Sequence, residues 1–335
     1  MTIALAGDTM LGRRVAERIV GSGPEHVFAD EVIELTRGAD LFVLNLECCI
    51  SARGTPWPDP NKPFFFRAPP QATDVLTRLG VDCVTLANNH VLDFGPVALL
   101  DTLAHLREAG IAWVGAGRNP DEARAPAILE ANGLRLGVIG CSDDPAAYAA
   151  SAGAPGIAYV DLRRGLKWLP DAIARLDVDA VLVTPHWGPN MAPEPLPHVR
   201  RTAGDLRASG ATLVAGHSAH LFQGVESAIL YDLGDFVDDY AVDRRRNDLG
   251  LLFFVTLDKQ GPIRVEAVPL KLEFCHTRLA DGEDADWIRD RFRSACAALG
   301  TEVAEEDGRL VVTLRARVEG KPSSPRSKPA TTRRR

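Results

Sequence analysis

Apolar residues fall along this chain in short unbroken runs separated by longer stretches of helical periodicity. Ile3-Ala4-Leu5-Ala6, Leu41 to Leu46, Cys83 to Ala87, Ala112-Trp113-Val114, Ala180 to Thr184 and Thr212 to Ala215 each read as a buried strand. Between them the spacing predicts helices from about Leu11, over Gln71–Leu79, from Gly95 to about Ala109, over Leu162–Leu176 and over His198–Ser209. Beyond Val114 the β-prone runs Ile128–Ala131 and Leu134–Ile139 flank Asn132-Gly133, a hairpin signal inside an otherwise βα rhythm. After Ala228 the texture changes to strands at Ala228–Tyr231, Leu251–Val255 and Ile263–Val268, then an amphipathic helix over 283–299 and a last strand at Leu310–Leu314. No internal repeat is visible. The rhythm predicts one large α/β domain over residues 1–318.

The runs matter because of where they stop. Asp8, Glu47, Asn89 with His90, His186, and His217 with His220 each follow closely on an apolar run. In open α/β sheets the carboxyl ends of the strands border the ligand crevice. Four of the eight histidines lie at these ends, while His26, His105, His198 and His276 sit on helical or loop patterns. One histidine after a strand is usually structural, but four in matching positions with two carboxylates and an amide point to a shared site. Carboxylate, imidazole and amide oxygen are the donor set of divalent Mn, Fe or Zn, and the lack of thiolates argues against structural zinc.

Composition narrows the picture further. At 46% hydrophobic and 25% charged the chain is ordinary for a globular protein. The last fifteen residues hold six basic side chains and no acid, so a whole-chain charge of −7 leaves −13 on the rest. An acidic body argues against nucleic acid as a partner and for a site where metal charge draws in a small or short polyanionic substrate. The six cysteines form no CxxC pair, and no apolar run approaches a membrane span, so a cytoplasmic protein without an integral membrane segment is expected. Residues 319–335 are expected to be a disordered basic tail.

The strand-end residues also carry a resemblance. Gly7-Asp8-Thr9-Met10-Leu11-Gly12-Arg13, Asn45-Leu46-Glu47, Ala87 to Gly95, His186-Trp187-Gly188 and Gly216-His217-Ser218-Ala219-His220 look like the motifs of the bacterial poly-γ-glutamate capsule-synthesis (CapA-like) family. Tyr231-Asp232-Leu233-Gly234-Asp235-Phe236 resembles that family's closing motif, and the match runs over about residues 2–270. The family is similar in turn to calcineurin-like metallophosphoesterases. The resemblance therefore implies a layered β-sandwich flanked by helices, with a dinuclear site at the strand ends. It implies Asp8 on one metal, Glu47 in the bridging position, Asn89, His186 and His217 on the second metal, and His220 returning to the first. His90 matches a histidine that protonates the leaving group. The wider superfamily has a histidine where this chain has Met10, and its last motif is one residue shorter, which leaves room for one tight and one labile metal.

Other residues carry two readings each. Asp93 either orients His90 or caps the helix that follows, with the cap favoured. Lys62, Arg67 and Trp187 are candidates for gripping an anionic substrate, against a solvated loop with snorkelling charges. Cys48-Cys49 reads as packing.

The function these features imply is metal-dependent hydrolysis of a phosphoester or γ-glutamyl amide by metal-activated water. The competing readings are a non-catalytic accessory protein of capsule-polymer synthesis or export, and a scaffold that has lost its metals. The lack of a membrane anchor counts against the first, and the full set of strand-end donors against the second. Truncation after residue 318 is expected to leave the melting temperature within error, because residues 321–335 cannot support a core. A drop of several degrees in a thermal melt would show that the tail docks.

Overall fold

A computed structural model describes residues 1–315. The expected boundary at 318 and the basic tail 319–335 lie outside the described residues. Strands β1 (Thr2–Thr9), β2 (Leu41–Leu46), β3 (Cys83–Thr85) and β4 (Ala112–Val114) run parallel, and helices α1 (Arg13–Ser22), α2 (Asp30–Arg37), α3 (Ala72–Leu79) and α4 (Gly95–Glu108) lie between them in sequence. The second half begins with the hairpin β5 (Ala127–Ala131) and β6 (Leu134–Ser142). It continues through α5 (Leu169–Ala174), β7 (Ala180–His186), α6 (Pro197–Ala208) and β8 (Leu213–Ala215). Short strands β9 (Val225–Glu226), β10 (Ile229–Leu230) and β11 (Asp235–Val237) precede long β12 (Leu249–Asp258) and β13 (Gly261–Glu273). Strand β14 (His276–Leu279), α7 (Gly282–Ala297), β15 (Ala304–Glu306) and β16 (Arg309–Thr313) complete the described chain.

Two sheets result. The first has the order β15-β16-β13-β12-β1-β2-β3-β4, with β11 added beside β1 and β14 beside β13. The second has the order β9-β10-β8-β7-β6-β5. Side chains alternate across a strand, which gives the first sheet two apolar faces. Ile3, Leu5, Leu41, Val43 and Cys83 face Leu136, Val138, Leu182 and Leu213 of the second sheet. Ala4, Phe42, Leu44 and Val84 face α1 to α4 through Val15, Ile19, Val32, Leu79 and Leu99. On the far side Ile139, Val181, Val183 and Val214 pack on Leu169, Ile173, Val199 and Leu206 of α5 and α6. Ile288, Phe292 and Cys296 of α7 join the core between the sheets. The order is helix, sheet, sheet, helix, the layered sandwich expected of the fold class.

The hairpin forms as the sequence predicts, with Asn132 at φ 52° and Gly133 at φ 70°, both in the left-handed region that an Asn-Gly turn supplies. The helix expected over Leu162–Leu176 does not form as one piece. Leu162–Arg164 makes a single 3-10 turn, Gly165 turns away at φ 108°, and only Leu169–Ala174 is α-helical. Strand β7 runs two residues further than the apolar run, through Pro185, so His186 is paired with Ser142 rather than following the strand.

Strand β11 had no periodic signal, being three residues long. It lies parallel to β1 with Asp8 opposite Asp235, and the Asp8 amide donates to the Gly234 carbonyl at 2.8 Å. That approach requires Gly7: a Cβ there would stand 1.7 Å from the Gly234 carbonyl oxygen. Gly7→Ala is therefore expected to cost at least about 1–3 kcal/mol, the usual range for overpacking, because backbone and not a rotamer must move. Urea denaturation checks this against Gly21→Ala, where nothing lies within 4 Å of the added methyl and no loss is expected.

Candidate metal centre

The parallel strands of both sheets end on the same side, and their ends bring the polar residues together. Asp8 is the penultimate residue of β1 and is 1% exposed. Its carboxylate accepts from Asn45 Nδ2 of β2 at 2.7 Å and from the Ser218 amide at 3.3 Å. Glu47 follows β2 directly and is wholly buried. From the second sheet, His186 closes β7 and bridges in parallel to His217, two residues past β8. The turn that carries His217 and His220 puts Ser218 at φ 110° and His220 at φ 58°, left-handed conformations costly outside glycine. Asp232 holds that turn, accepting from the Ala219 amide at 2.8 Å and the Gly234 amide at 2.9 Å.

Distances within the group are short. His217 Nδ1 lies 3.6 Å from Asp8 Oδ1, and His220 Nδ1 lies 3.3 Å from Asp8 Oδ2 and 3.9 Å from Glu47 Oε2. His186 Nε2 lies 3.5 Å from Glu47 Oε1. Both Glu47 oxygens, His186 Nε2, His217 Nδ1 and Asn89 Oδ1 are buried without a hydrogen-bond partner. A buried polar atom left unpaired costs about 1–3 kcal/mol, more when charged, so several in one place call for an occupant that accepts lone pairs. The remaining ring nitrogen of His217, Nε2, lies 3.1 Å from the Thr184 hydroxyl, which orients the ring with Nδ1 toward Asp8. The donor set, carboxylates, imidazoles and an amide, fits a divalent cation and contains no thiolate.

Electrostatics agree with that fit. Burial and the neighbouring Glu47 push Asp8 up to about 6. Burial works against ionised Glu47 as well, but His220, His186 and His90 outweigh it and hold the carboxyl down at about 2. Burial and His186 lower His217 to about 3, keeping it a neutral donor at physiological pH. Burial opposes a charge on His220 too, yet Asp235, Glu47 and Asp8 raise its pKa well above the usual value.

A cleft of about 540 Å³ opens onto Asn89, His186 and Ser218, with Asp143 and Arg163 among its walls. Burial pushes Asp143 up to about 6. His90 stands beside the group with its ring stacked on Phe66, centroids 3.9 Å apart. Its Nδ1 is 2.7 Å from Asp93 Oδ2.

The other sequence candidates settle differently. Asp93 does not cap α4, whose N-cap is Phe94 with no side-chain cap. Its buried carboxylate is instead taken by His90, by the Phe66 amide at 2.7 Å, by the Tyr148 hydroxyl at 3.1 Å and by Lys62 Nζ at 3.0 Å. Lys62 also donates to the Asn89 carbonyl at 2.8 Å, so it braces Asp93 rather than waiting for a substrate. Arg67 stacks on Phe94 at 4.2 Å and donates to the Arg53 carbonyl, turned away from the metal-ligand candidates. Trp187 is 3% exposed, and its Nε1 donates to the Tyr231 carbonyl at 2.9 Å, which makes it part of the core under the site.

Sequence reasoning missed Asn45, Thr184, Tyr148 and Asp235. The first is masked inside an apolar run, and Thr184 and Tyr148 carry no local signal. Asp235 lies within the closing motif, but its three-residue strand is too short to show that it pairs with Asp8. Asp8, Glu47, His220 and Asp235 each offer a donor atom within 4.8 Å of the others.

Two stacked sheets lie between helix layers, with carboxylates and imidazoles converging at the strand ends, so the class is a layered α/β sandwich with a candidate metal centre. The chain belongs to the family described as bacterial capsule synthesis protein PGA_cap, which it matches over residues 2–240. It is similar to the probable polyglutamine synthesis accessory protein Rv0574c of Mycobacterium tuberculosis, 30% identical over 94% of this chain and 96% of that one. It is also similar to the capsule biosynthesis protein CapA of Bacillus anthracis, 27% identical over 82% of this chain and 68% of that one. A hypothetical protein from Thermus thermophilus shares the fold, with a TM-score of 0.50 and 17% identity over 82% of this chain and 100% of that one.

Stability is expected to depend on metal, because a cation bound only by the folded state stabilises it by about 2.7 kcal/mol at a hundredfold excess over Kd. Dialysis against a chelator should lower the melting temperature by a few degrees, and Mn or Zn should restore it. Equal melts with and without metal would remove the assignment.

Proposed function

We propose that this protein is a metal-dependent hydrolase, acting on a phosphoester or a γ-glutamyl amide of a small or short polyanionic substrate. The observation that carries the reading is the set of unpaired buried donors on Glu47, His186, His217 and Asn89, set beside the Asp93–His90 pair. In this reading Asp8, Glu47, Asn89, His186, His217 and His220 hold two divalent cations, of Mn, Fe or Zn type. Such a pair lowers the pKa of water and stabilises charge on the reacting oxygens. The chain's own part is to hold those cations and to manage the leaving group. Asp93 accepts a hydrogen bond from His90 Nδ1–H and favours the doubly protonated ring against the burial that lowers its pKa, and the Nε2–H of that imidazolium gives its proton to the departing oxygen or nitrogen. Tyr148 and Lys62 keep Asp93 in place, and the Phe66 ring fixes the plane of His90. Arg163 on the cleft wall supplies positive charge for an anionic substrate.

Among the described residues no helix is long and apolar enough to cross a membrane. All six cysteines are buried free thiols, which supports placing the protein in the reducing cytoplasm. A non-catalytic accessory role has one observation in its favour, the names of the relatives, which are an accessory protein and a biosynthesis protein. Assay of the metal-loaded protein on phosphoesters and γ-glutamyl amides separates the two. Turnover of neither, with metal bound in full, favours the accessory role.

Given an active substrate, His90→Ala is expected to keep its metal and lose about 100- to 10,000-fold in rate, the usual worth of a general acid. The loss should shrink for a nitrophenolate leaving group, which needs little protonation. His186→Ala should lose metal as well as activity. Metal analysis and rates of both variants decide, and metal loss in His90→Ala would make His90 a ligand.

A further inference from the structure

Resting on the metal-centre reading, we infer that Asp235 is a ligand of the first cation position and makes it an oxygen-rich site. The strand-end set from sequence leaves that position with Asp8, Glu47 and His220 alone. Met10, two residues past Asp8, cannot complete it: it is 1% exposed, and its Sδ accepts from the Gly12 amide at 3.1 Å. Strand β11 brings Asp235 to the level of Asp8 by parallel pairing, and Asp235 is 3% exposed. One donor atom from each of Asp8, Glu47, His220 and Asp235 falls within a 4.8 Å group. His220 Nδ1 lies 2.8 Å from Asp235 Oδ1, 3.3 Å from Asp8 and 3.9 Å from Glu47, so three carboxylates surround one ring nitrogen. Asp235 Oδ2 and both Glu47 oxygens are buried without a partner, which a hydrogen-bonded structural cluster would not leave.

The consequence is an asymmetric pair of positions. The first offers three carboxylates and one imidazole. The second offers Glu47, the Asn89 amide oxygen and the imidazoles of His186 and His217. Carboxylate-rich sets suit Mn and Mg, and imidazole suits Zn. The cations therefore differ in kind or in order of loading.

Equilibrium dialysis with metal analysis, together with Mn EPR titration of the full chain, tests this without any substrate. Wild type is expected to bind two Mn equivalents. Asp235→Ala should lose one of them, and His186→Ala should lose the other. Asp235→His separates a ligand from a residue that merely orients His220: a replacement ligand regains the second equivalent, with the Zn-to-Mn affinity ratio raised at least about tenfold over wild type. Circular dichroism establishes that each variant is folded, and Asp235→His carries the test if the alanine variant is not. Retention of both Mn sites in Asp235→Ala overturns the assignment, as does a folded Asp235→His that regains nothing. If wild type itself binds no divalent metal, the metal-centre reading fails as a whole, and not the role of Asp235 alone.

Discussion

Glu47 is wholly buried, and neither of its carboxylate oxygens accepts a hydrogen bond. An ionised carboxylate in that state costs several kcal/mol unless positive charge or donors meet it, and much of the architecture serves to supply them. Glu47 belongs to the first sheet, while His186, His217 and His220 arrive from the second. The sheets must therefore stack with their strand ends level, or the charge and its partners are buried apart. The apolar core between them, from Ile3 and Val43 to Leu182 and Leu213, sets that alignment. Packing and site chemistry are one constraint seen from two sides.

Around that constraint the ligand candidates are held by groups outside the ligand set. Thr184 turns the His217 ring, Asn45 holds the Asp8 carboxylate, and Asp232 ties down the strained turn between Ser218 and His220. A parallel arrangement steadies His90. Its partner Asp93 is anchored by the Phe66 amide, the Tyr148 hydroxyl and Lys62, three groups from two loops distant in sequence. The proline-rich segment before Phe66 thus closes over the general-acid candidate, with Phe66 on His90, Trp57 on Tyr148 and Phe65 against Phe94, while Phe64 stays exposed. Rigid supporting contacts of this kind hold reacting groups within the small tolerances that proton transfer and metal binding need.

The residues of β11 show how far local pattern can mislead. Asp235 and Gly234 look like turn chemistry, yet Gly234 accepts the backbone of Asp8 and Asp235 stands among the metal-ligand candidates. The interaction depends on Gly7, because any side chain at that position would hold the two strands apart.

Periodicity and strand-end chemistry in the sequence determined the α/β class, the parallel strands β1 to β4, the Asn-Gly hairpin and the seven strand-end polar residues among which the family resemblance picks six ligand candidates. These are local properties: unbroken apolar runs bury both faces of a strand, and polar residues that end such runs must find partners. Only the tertiary structure decided which polar side chains share a partner. It placed Asp93 on His90 rather than on the helix end, drew Lys62 to Asp93, turned Arg67 and Trp187 away, and brought Asp235 beside Asp8. Apart from the Asp93–His90 pair, which is three positions apart, those outcomes depend on contacts between residues tens to hundreds of positions apart, which no local spacing encodes. The break in the helix expected over Leu162–Leu176 has the opposite cause, since Gly165 at φ 108° is a local event that the apolar periodicity outweighed in the reading.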